Sequence, residues 1–190
     1  MLSATIKWKQ YNKSGILIPE LSFEHKANTF LKQYIQCLCA HFGLLSLTTL
    51  VRDTGNTLRT VAYNNSPTFD ITANSGDVTH GIVLGTGTTV VISTDYVLET
   101  PIAHGTGAGQ LSYSAMGCDT DAQLGAGTKA YFTIFRTVQN NSGGDITAKE
   151  AAIYIKNGSS SFYFCIDRTL TDYAILNGNS AVITYEINNQ

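Results

Sequence analysis

The chain has 190 residues and a formal net charge of −2 at pH 7; 43% of its residues are hydrophobic and only 14% charged, against roughly 25% charged in a typical soluble chain. That length suffices for one domain with a full core. Scattered Lys and Arg with no basic stripe argue against direct nucleic-acid binding. No apolar run approaches the roughly 20 residues that cross a bilayer, and the opening MLSATIKWKQYNKSG lacks the apolar stretch of a secretory signal, so a soluble protein made in the cytosol, without membrane insertion, is expected.

The first expected element is a strand in SATIKWKQY, with Ile6, Trp8 and Gln10 on one side and Thr5, Lys7 and Lys9 on the other. An amphipathic helix follows in NTFLKQYIQCLCAHFG. Phe30, Leu31, Tyr34, Ile35, Leu38 and Phe42 recur at helical spacing, Asn28 or Thr29 can cap the start, and Gly43 can end it. One face of this helix should lie on a sheet. After Gly43 the chain changes to short runs rich in Val, Ile, Thr, Tyr and Phe, broken every eight to twelve residues or so by turn formers.

Strands are expected over 45–53, 57–63, 68–73, 80–85, 88–93, 109–115, 128–138, 147–156, 160–167 and 179–187. In the last, Ala181, Ile183, Tyr185 and Ile187 alternate with Val182, Thr184 and Glu186, as in a half-buried antiparallel strand. NNSGGD (140–145) and NGS (157–159) read as hairpin loops, which makes the C-terminal third an antiparallel meander. The fold class is mainly β: an antiparallel β-sandwich, jelly-roll-like or Ig-like, with one N-terminal amphipathic α-helix. Residues 1–43 would form a strand and helix packed on a sandwich of residues 44–190, within one structural domain overall.

Two glycine-rich loops invite a test for phosphate binding. A dinucleotide fingerprint needs GxGxxG opening a helix, and a P-loop needs a Lys after its second Gly. Here Gly85 and Gly87 run into TTVVIST, a β-branched stretch, and HGTGAG (104–109) runs into QLSYS, so both read as tight turns between strands. His104 stands near Asp95, Glu99 and Ser112 in sequence, but no nucleophile elbow accompanies them, and no catalytic residue is expected. Asp119 and Asp121 supply fewer carboxylates than a calcium loop uses.

Cys37, Cys39, Cys118 and Cys165 read as free buried thiols, and with the four histidines they show no zinc spacing, so no metal and no cofactor is expected. Arg136 and Arg168, flanked by apolar strand residues, should pair with Glu150 or Asp167. Tyr131, Phe135, Tyr154, Tyr163 and Tyr173 are the candidate assembly or ligand face, since aromatic residues are enriched at binding surfaces.

The order of segments adds a clue. GIVLGTGTTVVISTDYVLETPIAHGTGAGQLSYSAM, then FTIFRTVQNNSGGDITAKEAAIYIK, then FYFCIDRTLTDYAILNGNSAVITYEI resembles virion-associated structural proteins of tailed bacteriophages and related prokaryotic viruses. The shared features are a GxGxT block leading through DY and HGxGxGQLxY, a strand ending in RTxxNNSGG, and an aromatic strand followed by a final YxI. The resemblance spans residues 28–188. The chain departs from it where EVGLY reads EAAIY (150–154) and where Arg-Asp stands reversed as Asp167 and Arg168.

What the resemblance implies is a non-enzymatic subunit of the virion, made in the host cytoplasm and working by homo-oligomeric assembly on the head or tail, as a decoration, fibre or tail-tip protein. Its partners would be copies of itself and other virion proteins, with the helix of Phe30, Leu31, Tyr34, Ile35, Leu38 and Phe42 docking onto the particle. The alternative is a carbohydrate-binding or host-recognition module whose exposed aromatics meet a surface glycan.

Overall fold

The computed structural model describes residues 2–27, 30–41, 50–61, 70–119, 123–124, 130–157 and 162–189. In chain order the elements are β1 (Leu2–Tyr11), β2 (Leu17–Lys26), α1 (Lys32–His41), β3 (Leu50–Arg52), β4 (Leu58–Thr60), β5 (Gly81–Gly85), β6 (Ser112–Cys118), β7 (Gln123–Leu124), β8 (Ala130–Gln139), β9 (Ile146–Asn157), β10 (Phe162–Ile175) and β11 (Ser180–Asn189). The architecture is mainly β with antiparallel sheets. A large sheet has the order β2-β1-β11-β8-β6, with β7 also on β8; a three-stranded sheet has the order β10-β9-β5; β3 and β4 form a short ribbon.

The alternation in the chain explains which sides meet. Ile6, Trp8 and Gln10 of β1, Ile134, Arg136 and Val138 of β8, and Ala181, Ile183 and Tyr185 of β11 are all buried. The apolar members of this set join Ile82 and Leu84 of β5, Ala151, Ile153 and Ile155 of β9, and Phe164, Ile166 and Tyr173 of β10 in one core. Trp8 stacks on Tyr173 of the small sheet, ring centroids 4.4 Å apart, one of the aromatic contacts that join the two layers. The N-terminal segment is part of this arrangement: β1 pairs with β11 along its whole length.

Four expectations are corrected. The helix is not the second element, because β2 precedes it and the fold opens on a hairpin; Asn12 builds the turn by accepting hydrogen bonds from the amides of Ser14 and Ile16. β2 escaped the sequence pattern because it is an edge strand with few buried residues and carries Pro19, which an edge tolerates. Residues 88–93 form no strand, and of the run 68–73 the described part, 70–73, makes only an isolated bridge from Asp70 to Lys156.

The C-terminal third is not a meander. β8 pairs with β11 in one sheet and β9 with β10 in the other, so residues 140–145 cross between sheets instead of closing a hairpin. The loop NGS does lie between paired strands, although 158–161 fall outside the described residues.

Two buried amides make the crossings possible. Asn140 donates to the carbonyls of Gly144 (2.9 Å) and Ile175 (2.7 Å), while its Oδ1 accepts from the amide and hydroxyl of Ser142. It therefore ties the β8–β9 crossing to the β10–β11 crossing. Gln10 donates to the carbonyl of Ala174 and accepts from Leu176 and Asn179, fixing β1 to the second crossing. A corner that leaves a sheet exposes backbone groups, and a buried primary amide can satisfy both donors and acceptors there.

Replacing Asn140 with Ala strands the Ile175 carbonyl, whereas the exposed Gly144 keeps its bond from the Ser142 hydroxyl. Stability measured by urea denaturation should fall by roughly 1–3 kcal/mol, the cost of one buried acceptor left unpaired.

Candidate functional site

The first glycine loop does cradle an anion, and the anion is the chain's own Glu150. This carboxylate, completely buried on β9, accepts hydrogen bonds from the amides of Gly87 (3.1 Å), Glu99 (3.1 Å) and Thr100 (2.9 Å). Its fourth donor is the Nε of Arg168 on β10, at 2.8 Å. Arg168 continues outward, with Nη1 to Asp95 at 2.7 Å and Nη2 to the Thr89 carbonyl at 3.2 Å. Asp95 in turn accepts from the Ile92 amide, and Glu99 from the amides of Thr88 and Thr89. Gly87 must be glycine because a Cβ there would lie 2.6 Å from the Glu150 carboxylate. Burial opposes the Arg168 charge, but its hydrogen bonds to Glu150 and Asp95 outweigh that and raise its pKa.

The network folds residues 86–100 flat over the outer face of the small sheet. Leu98, with the partly buried Val91 and Val97, packs there on Val83, Ala152, Tyr154 and Cys165, joined by Leu31 from the start of the helical segment. Tyr154 adds a clamp by accepting the Leu98 amide at 2.7 Å. What the loop turns outward is apolar: Val90 is 77% exposed and Ile92 58%. Both border a surface hollow of about 230 Å³ whose lining includes Arg168, Asp95, Glu99 and Tyr96.

A second concavity is chemically different. A cavity of about 340 Å³ opens beside α1, walled by Phe30, Tyr34, Leu38, Phe132 and six isoleucines contributed largely by the facing sheets, among them Ile134, Ile153 and Ile166. No charged side chain lines it among the described residues, and such a wall suits a hydrocarbon group.

The aromatic candidates do not form one face. Tyr154 and Tyr173 are buried, the first under the loop and the second against Trp8. Tyr163 is half-buried and lies near His80 with ring centroids 5.8 Å apart. Tyr131 and Phe135 remain, on the side of β8 opposite Ile134 and Val138; Phe135 is 39% exposed and covers Gly117. Alternation alone could not tell these apart, because the loop buries the second face of the small sheet.

The helix candidates divide as well. Leu31 is completely buried in the outer cluster, Phe30, Tyr34 and Leu38 line the cavity, Ile35 is exposed, and Phe42 lies outside the described residues. The side of α1 that is buried carries Gln33, Cys37 and Ala40, a stripe of smaller residues than the sequence pattern suggested.

Of the two arginines, Arg168 pairs with Glu150 as expected, but Arg136 does not meet a carboxylate. It donates to the carbonyls of Ser114, Ile82, Asn74 and Asp77 and rests over the Tyr113 ring, 4.9 Å from its centroid. Asp167 lies on the inner face, beside Thr169 and Tyr185.

His104 accepts the Tyr113 amide through Nδ1, and Ser112 donates to the Gly105 carbonyl, so neither addresses the other; Asp95 and Glu99 belong to the Arg168 network. Gln110 caps the second glycine loop by accepting the Gly107 amide. Asp119 takes a hydrogen bond from Thr133, and Asp121 lies outside the described residues. Among the described residues no group of three His, Cys, Asp or Glu could hold a metal ion. All four cysteines are free; Cys37 and Cys165 are buried, burial pushing the Cys37 thiol up to about 12, whereas Cys118 is exposed, contrary to expectation. No described helix is long and apolar enough to cross a membrane.

No family model matches the chain, and neither a curated protein nor a solved structure matches it.

Glu150→Gln keeps the shape of the anchor but replaces one acceptor oxygen with an NH2 facing donors. Breaking a buried ion pair from one side costs roughly 3–5 kcal/mol. The expected result is a loss of that order in denaturation, with amide hydrogen exchange accelerated first in residues 86–100.

Proposed function

We propose that this chain is a non-enzymatic structural subunit of a phage or prokaryotic-virus particle, acting by homo-oligomeric assembly on the head or tail. The fold is read as a β-sandwich of the jelly-roll kind: β8 pairs with β11 and β9 with β10, so a long double hairpin bends across two layers. Partners are copies of the chain and other virion proteins; the protein is made in the host cytoplasm and resides in the virion. The segment order described above supports that setting.

One observation carries the reading. The loop 86–100 is held by inward-pointing bonds to Glu150, Arg168 and Tyr154, yet it projects Val90 and Ile92 into solvent. Exposed apolar side chains cost about 25 cal/mol per Å² until something covers them. A fixed loop forfeits little entropy when a neighbour does so, which suits a repeated contact. Closed symmetric assembly of identical subunits is the commonest way to provide such a neighbour.

A second reading is a host-recognition module that meets a surface glycan. Tyr131 and Phe135, which share the outer side of β8, favour it.

Light scattering across a concentration series tests the first reading. A discrete trimer, pentamer or hexamer is expected, and Val90→Asp with Ile92→Asp should shift it toward monomer while leaving the thermal midpoint within about 3 °C, as surface changes usually do. A strict monomer at every concentration would overturn self-assembly and make glycan binding at Tyr131 and Phe135 the next assay.

A further inference from the structure

Asp167 is a carboxyl group placed between the two sheets, and no cation among the described residues meets it. It is completely buried on β10, on the face that looks toward β11, opposite Ile153 of β9 in the ladder. Its Oδ2 takes a hydrogen bond from the Thr169 hydroxyl at 3.2 Å. The Tyr185 hydroxyl of β11 lies beside it, and among the described residues neither Oδ1 nor that hydroxyl has a hydrogen-bond partner, so two orphaned polar atoms stand close together out of reach of solvent. The other titratable group nearby on its own strand is the Cys165 thiol, which is neutral in its buried place.

Both buried arginines are engaged elsewhere. Arg168 is tied to Glu150 and Asp95 by the outer network, and Arg136 is spread over backbone carbonyls. An ionised Asp167 would therefore be an uncompensated charge in the core, which costs far more than a neutral acid hydrogen-bonded to the Thr169 hydroxyl.

We propose that Asp167 is a proton-dependent latch between the sheets: protonated it joins β10 to Tyr185 of β11, and on losing its proton it loosens the contact between the layers. The latch needs no ligand and is independent of what the outer surface touches. The sign follows from the two end states. Burial raises the folded carboxyl from 3.8 to about 7, while the Thr169 hydroxyl bond and the nearby Tyr185 hydroxyl act in the opposite sense. Between these values the folded chain keeps a proton that the unfolded chain has lost, so stability is highest below the unfolded value and falls as pH rises toward 7.

The test is the thermal midpoint of the full chain from pH 4 to pH 8, with Asp167→Asn in parallel, and hydrogen exchange of β10 and β11 corrected for intrinsic rates. The wild type should lose stability and protection across that window, and Asp167→Asn should lose clearly less. An equal decline in both proteins, or no decline in the wild type, would overturn the proposal. Should the variant not fold, carboxyl NMR of the wild type decides the question: titration near 7 supports the latch, and titration near 3.8 refutes it.

Discussion

The pairing of Arg168 with Glu150 is the constraint on which the small sheet depends. Three strands have two faces to cover, and only one of them meets the large sheet. The other is covered by an irregular loop, which lacks the ladder of hydrogen bonds that would hold a strand in place. Glu150 substitutes for that ladder: it collects three amides from both ends of the loop, and Arg168 balances its charge while reaching the loop's middle through Asp95 and Thr89. A lone buried charge of either sign would be prohibitive, so the two residues have to be present together.

Burial on both faces has consequences for the rest of the molecule. β9 and β10 can be apolar on each side, and tyrosines that would otherwise reach solvent become internal anchors, as Tyr154 does for Leu98. Leu31 is drawn to the outer cluster, where its amide also bonds the Ile166 carbonyl of β10. That contact leads the helix in alongside β10 and leaves Phe30, Tyr34 and Leu38 to wall the apolar cavity. The buried polar groups divide the remaining work. Asn140 and Gln10 hold the corners, Arg136 gathers carbonyls from the 74–82 segment, and Asp167 sits alone at the interface of the layers.

Much of this is legible in the sequence. Alternation marked β1, β8, β9 and β11, and the β-branched run after Gly85 excluded a phosphate loop, because such a run does not open a helix. The same β-branched signal misled at 88–93: Val90, Val91 and Ile92 have strand propensity, but the carboxylates of Asp95 and Glu99 claim the local amides and bend the chain. β2 was illegible because an edge strand buries little and so shows weak alternation. The crossing at 140–145 resembled a hairpin, since Asn-Asn-Ser-Gly-Gly serves any sharp turn and says nothing about which strands it joins.

The sequence by itself determined what is local: a mainly β chain, the positions of its best strands, the inward side of β1 and β11, and the need of Arg168 for a carboxylate. These follow from side-chain period, turn chemistry and the cost of burying charge, all of which act within a few residues. Only the tertiary structure decided that Glu150 would be the anion in the glycine loop, that Tyr154 and Tyr173 would be core, and that Asp167 would face Tyr185. Those outcomes depend on which segments meet across long separations in the chain, as between Gln10 and Asn179 or Gly87 and Glu150, and periodicity carries no record of such partners.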